Sequence, residues 1–183
     1  MKVLGSAFRE IITFVVLAIV IVIPIRLFVA QPFVVEGDSM HPTFESGDYL
    51  IVDQLSYRLA DPKRGDVVVF RYPNNPSIFY IKRIIGLPGE TVHIDRGATT
   101  ITKTDGTEIT LDESYVVAED ATYTRELPLG PDQFFVMGDN RPRSSDSRTW
   151  GALPREDLMG RAYIRLLPAG SFGVLPGAVS ELQ

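Results

Sequence analysis

The feature that most constrains this chain is the run Ile11 to Ile25, IITFVVLAIVIVIPI, fifteen residues without a charge. Arg26 interrupts it, and LFVA then carries the apolar stretch to Ala30. Together these segments have about the length a helix needs to cross a bilayer, roughly 20 residues. Arg26 lies near one end, where its long side chain can reach the interface. Pro24 is costly inside a soluble helix but tolerated in a membrane one. The run is apolar on every face, which argues against a buried core helix. Lys2 and Arg9 precede it, so the positive-inside rule keeps the N-terminus cytoplasmic and carries the rest across. A cleaved signal peptide is the alternative. The length of the run, Arg26 inside the processing region, and Phe28 and Pro32 around the one obvious cut after Ala30 argue against it. The expectation is a single-pass membrane protein: residues 1–30 supply a cytoplasmic N-terminus and one transmembrane helix, and residues 31–183 form an extracytoplasmic domain.

Beyond residue 30 the helical period disappears. Phe33–Val35, Tyr49–Val52, Val67–Tyr72, Ile78–Ile85, Thr91–Asp95, Thr99–Thr104, Glu108–Leu111, Phe134–Met137 and Arg161–Leu167 read as short strands, rich in β-branched and aromatic residues and separated by Gly, Pro, Asn and Asp. Asp105–Gly106 between Thr-rich runs predicts a hairpin, and Leu87-Pro88-Gly89-Glu90 predicts a tight turn. Helical turns are expected only near Leu55–Leu59 and Pro154–Leu158. The fold class is therefore mainly β: an antiparallel β-sheet core from residues 33–95 and 130–168, with a small inserted hairpin lobe over about 96–129.

Charge narrows the function. Residues 1–30 hold Lys2, Arg9 and Arg26 against Glu10; of 18 basic and 23 acidic residues in all, the body keeps 15 and 22. So acidic a body argues against nucleic-acid binding, which needs a basic surface to displace counterions. There is no cysteine, so disulfides, thiolate metal sites and cysteine nucleophiles are excluded. The two histidines, His41 and His93, are too few for a His-rich metal site.

Three segments carry chemistry. In Glu36-Gly-Asp-Ser-Met-His-Pro-Thr-Phe44, Gly37 and Pro42 form a tight turn that can present the Ser39 hydroxyl, although a serine there is ordinarily a turn residue. In Tyr80-Ile-Lys-Arg-Ile-Ile-Gly-Leu-Pro-Gly89, Lys82 sits in an apolar strand and shares a face with Tyr80 and Ile84. Desolvation there lowers a lysine pKa, as a lysine base requires. The competing reading is an edge-strand lysine that blocks aggregation. Gly138-Asp-Asn-Arg-Pro-Arg-Ser-Ser-Asp-Ser-Arg148 is either a solvated loop or a hydrogen-bonded network.

In order along the chain, Ser-Met-x-Pro-Thr at 39–43, Arg-Gly-Asp-Val-Val-Val-Phe at 64–70, Lys-Arg-x-x-Gly-x-Pro-Gly at 82–89, and Gly-Asp-Asn-Arg with Ser-x-Asp-Ser-Arg at 138–148 resemble the motifs of the bacterial type I signal peptidases. The likeness covers about residues 8–168, and the short single-anchor form is similar to the Gram-positive-type branch. The resemblance implies a serine endopeptidase that removes signal peptides from exported preproteins at the outer surface of the cytoplasmic membrane, needing no cofactor or metal. Ser39 would be the nucleophile and Lys82 its general base. Ser144 would orient the lysine amine, and Asp146 and Arg148 would form a supporting ion pair. The Ser39 N–H would serve the oxyanion hole, and Phe33, Val35, Met40, Tyr80 and Ile81 would line pockets for small residues before the cut. The partners implied are preprotein signal peptides and a lipid bilayer, with a monomer expected. Two positions depart from the family. Gly37 stands where many relatives carry a serine, and ordinary extended dihedrals are expected there. Pro142-Arg143 replaces the usual Asp-Asn.

Rival readings are a His-based protease using His41 or His93, a self-cleaving Ser–Lys protease of the repressor type, and a non-enzymatic membrane-tethered β-domain. The repressor type carries a DNA-binding domain where this chain carries the apolar run.

Overall fold

The computed structural model describes residues 2–117 and 123–179; within the first helix, side chains are described from Arg9 to Ile23. That helix, α1 (Lys2–Phe28), has 27 residues and is about 40 Å long. Its described apolar side chains are exposed, from 47% at Ile12 and Val15 to 77% at Phe14. Pro24 to Phe28 lie outside the described side chains, and so does that end of the expected span. Among the described residues no helix is long and apolar enough to cross a membrane.

The helix leads directly into strand β1 (Ala30–Val34), followed by β2 (Tyr49–Asp53), one helical turn α2 (Ser56–Leu59), and the long hairpin β3 (Val67–Tyr72) and β4 (Asn75–Gly86). Strands β5 (Thr91–Asp95), β6 (Ala98–Thr102), β7 (Glu108–Thr110) and β8 (Thr124–Pro128) come next. The chain closes with β9 (Gln133–Met137), a turn of helix α3 (Ser147–Trp150), β10 (Leu153–Pro154), β11 (Leu158–Leu167) and β12 (Gly173–Val174).

Two antiparallel sheets result. The larger runs β1-β2-β11-β3-β4-β9-β10, with β12 added to β11; the smaller runs β7-β6-β5-β8. The inserted element is thus a four-stranded sheet rather than a single hairpin. It begins at Thr91, because β5 pairs with β6 and β8 and not with the larger sheet. The turn at Leu87–Glu90 forms as expected, with Glu90 N–H donating to Leu87 O at 3.2 Å.

Three apolar clusters hold the sheets. Ile85, Phe135 and Met137 pack with Val92, Ile94 and Ile101, joining the two sheets. Val68, Phe70, Ile84, Phe134, Val136 and Leu153 fill one side of the larger sheet. Val35, Met40, Phe44, Leu50, Val67 and Ala162 seat the turn that carries Ser39.

Candidate active site

Lys82 lies in the second half of β4, an interior strand. Its backbone faces Val68 of β3, and the next residue, Arg83, faces Met137 of β9. The edge-strand reading of this lysine therefore fails. Ser39 sits on the turn between β1 and β2. Its carbonyl accepts from Asn140 N–H at 3.0 Å, while Asn140 Nδ2 donates to Asp38 O at 3.0 Å. These bonds pin the turn to the 138–148 loop. Gly138 is required at that junction, because a Cβ there would overlap Ser39 O and Ser144 Oγ.

The consequence is a close pair. Lys82 Nζ lies 2.6 Å from Ser39 Oγ and donates to Ile81 O at 2.8 Å. Lys82 is 3% exposed. Burial pushes its pKa down to about 8, against the upward pull of the Asp146 and Asp139 carboxylates. A buried ammonium loses hydration that the neutral amine does not need, which is why desolvation dominates.

The remaining predicted residues fall into place unevenly. Asp146 is fully buried; it accepts from Arg148 Nε and Nη2 at 2.9 Å each and from Gly138 N–H at 3.1 Å. Phe33, Val35, Tyr80 and Ile81 line a cleft of about 550 Å³ beside Ser39 and Lys82. Met40 does not line it; 1% exposed, it packs beneath the turn with Val35, Phe44 and Leu50. Ser144 Oγ is buried without a hydrogen-bond partner among the described residues, so it does not touch the lysine amine here. Gly37 has φ +85°, against the extended dihedrals expected. A Cβ there would meet open space, so the backbone alone favours glycine. Sequence reading missed Ser77, Ile78, Phe79, Arg143 and Ser145 as lining residues of the cleft. It also missed the fully buried pair Arg83–Asp139, bonded at 2.6 Å and 2.9 Å. Both residues stand inside the quoted motifs, but nothing local marks them as partners.

Of the two histidines, His93 lies outside this site and His41 sits two residues past Ser39 on the same turn. His93 bonds Thr102 at 2.9 Å and faces Glu126 at 3.5 Å in the smaller sheet, and His41 is exposed.

Comparison with known proteins identifies the family. Residues 8–167 match the family model described as signal peptidase, peptidase S26. A probable signal peptidase I-2 of Synechocystis sp. is 41% identical over 165 residues, 87% of this chain and 73% of the relative. Signal peptidase I P of Bacillus subtilis subsp. natto is 34% identical over 160 residues, covering 84% of this chain and 86% of the relative. A crystal structure of a signal peptidase I from Enterococcus faecalis shares 31% identity at a TM-score of 0.47, covering 56% of this chain and 97% of that one. The chain is thus a serine endopeptidase. It belongs to the signal peptidase family, and removal of signal peptides is the activity that membership carries.

Proposed function

We propose that this protein cuts signal peptides from exported preproteins at the outer face of the cytoplasmic membrane, with Ser39 as nucleophile and Lys82 as its general base. The observation that carries the reading is the 2.6 Å approach of a buried lysine amine to a serine hydroxyl at the floor of an apolar cleft.

A serine hydroxyl is a weak nucleophile until a neighbour takes its proton. In the reactive state Lys82 is neutral and accepts the Ser39 Oγ–H. As that proton moves to Nζ, Oγ bonds to the scissile carbonyl carbon and the carbonyl oxygen takes the negative charge. In this mechanism the Ser39 N–H stabilises that oxygen. Lys82 then returns the proton to the departing amine as the C–N bond breaks, leaving the signal peptide esterified to Ser39. Water, deprotonated by the same lysine, releases it. Asp146, paired with Arg148, holds Gly138 through its N–H, and Ser144 Oγ lies next to Gly138.

The cleft runs between β1 and the first half of β4, which favours an extended peptide laid along the strands. Its walls are Phe33 and Phe79, in edge-to-face contact at 5.4 Å, with Val35, Tyr80 and Ile81. Such walls suit small side chains before the cut. Met40 supports the cleft floor from below.

Exposure supports placement at a membrane. An apolar helix exposed on every described face needs a non-aqueous environment. Phe172 (63%), Val174 (56%) and Val34 (53%) add apolar surface on the catalytic domain, suited to lipid contact. Ser39 follows β1 closely, and the nine residues from Gln31 to Ser39 span at most about 30 Å. The site therefore stays near the bilayer where a signal peptide emerges. In this reading residues 1–30 anchor and residues 31–183 catalyse, with the protein acting as a monomer.

The test is a purified preprotein incubated with wild type, Ser39→Ala and Lys82→Met. Both variants keep the fold and lose cleavage. Ordinary turnover by either one sinks the mechanism.

A further inference from the structure

The geometry points to the C-terminal segment 172–179 as a positioning strap for the Ser39–Lys82 pair, acting through the carbonyl of Gly177 on the buried Arg83; this rests on the function proposed above.

Beyond β12 the chain folds back over the domain. Leu175 N–H donates to Tyr163 O at 2.6 Å, Ala178 N–H donates to Leu175 O at 3.0 Å, and Pro176 is buried. This path brings Gly177 O to Arg83 Nη1 at 2.5 Å. Arg83 is 0% exposed, and three of its other donors bond Gly65 O at 3.0 Å and the two Asp139 oxygens. Its guanidinium also stacks over Tyr115, 4.1 Å from the ring centre. Asp139 in turn accepts from Thr43 Oγ1 at 2.5 Å.

This unit touches both halves of the dyad. Arg83 is the residue after Lys82. Thr43 stands on the Ser39 turn, and Asp139 lies between Gly138 and Asn140, the two residues against which Ser39 O is set. A buried guanidinium robbed of an acceptor carries a large desolvation penalty, so the tail carbonyl closes a network that would otherwise draw in water. Gly177 is built for the role. It has φ +75°, and a Cβ would lie 2.5 Å from Thr43 Cγ2, 3.3 Å from Phe44 Cε2 and 3.4 Å from Val67 Cγ2. Any side chain at 177 must push on Thr43, and through it on Asp139.

The predicted signature is a displaced pH profile, which a simple loss of folded enzyme would not give. The charged groups facing Lys82 are Asp139, held by Arg83, and Asp146, held by Arg148; the Tyr80 ring lies 5.2 Å from Nζ. Loosening the strap lets water reach this cluster, eases the desolvation of the ammonium and moves the acidic limb to higher pH.

The experiment measures kcat/KM against pH on a signal-peptide substrate, using the full chain in detergent, for wild type, Gly177→Ala, and Gly177→Ala with Thr43→Ser. Gly177→Ala is expected to lower kcat/KM at pH 7.5 by about tenfold and to raise the acidic limb by about half a pH unit. Serine at 43 keeps the hydroxyl bonded to Asp139 and removes the clashing methyl, so the double variant recovers both quantities toward wild type. If Gly177→Ala does not fold, Thr43→Val, which deletes the Asp139 bond while keeping the shape, must give the same limb displacement. An unmoved limb, or a double variant no better than the single one, overturns the strap. Cleavage by Lys82→Met with an ordinary limb would instead overturn the dyad itself, so the two failures are distinct.

Discussion

Replacing Lys82 by methionine should change stability in a pH-dependent way whose size follows from its burial. The lysine pKa falls from 10.5 to about 8 on folding. A shift of that size corresponds to roughly 3 kcal/mol at 1.36 kcal/mol per unit. The sign is fixed by the direction. The folded state holds the ammonium poorly, so the wild type carries the full penalty below about pH 8 and sheds it as pH rises toward 10.5. Methionine cannot be charged and carries no such penalty. The stability of Lys82→Met relative to wild type should therefore fall by roughly 1–2 kcal/mol between pH 6.5 and pH 9, whatever constant offset comes from losing the bonds to Ser39 and Ile81. Urea denaturation of both proteins in the same detergent at the two pH values reads this difference. A gap unchanged with pH would mean that Lys82 titrates alike folded and unfolded, and the base assignment would lose its physical footing.

Other outcomes are equally open to measurement. Gly37→Ala and Gly37→Ser should both slow cleavage to a similar extent, because either residue must adopt φ +85° at a cost of about 1 kcal/mol; faster cleavage by the serine variant alone would show that its hydroxyl outweighs the strain. Preproteins with Ala, Gly or Ser before the cut should be processed, and one with Phe or Trp there should not, if Phe33, Tyr80 and Ile81 form the proposed pocket for that side chain; efficient cleavage after an aromatic would show that these residues are not the pocket. Removing residues 1–28 should leave activity on short soluble peptides while slowing membrane-embedded preproteins; a folded truncated protein inactive on both would give the helix a role beyond tethering.

Much of the fold was legible because its strands are locally written. Val67–Tyr72 and Thr91–Asp95 form with the bounds expected, as β-branched runs closed by turn residues. Thr124–Pro128 escaped notice because Arg125, Glu126 and Pro128 look like loop; its strand character comes from pairing with β5. The turn expected near Pro154–Leu158 forms as a single 3-10 turn over Arg155–Asp157, but the two-residue strand before it was not foreseen, because it depends on Leu153 pairing with distant Phe134 and being fully buried. The site divides in the same way. A lysine on an apolar strand announces its desolvation. The partnership of Arg83 with Asp139, and of both with Gly177, spans distances in sequence that leave no local trace. The left-handed backbone at Gly37 was invisible for another reason: glycine takes either sign of φ without a change in composition.

The most direct measurement of the central claim is the pH dependence of kcat/KM for preprotein cleavage in wild type, His41→Gln and His93→Gln. With Lys82 as the base, all three proteins should show the same acidic limb near pH 8, following the depressed lysine. A limb near the ordinary histidine value that disappears when either histidine is replaced would contradict the account and move the base elsewhere.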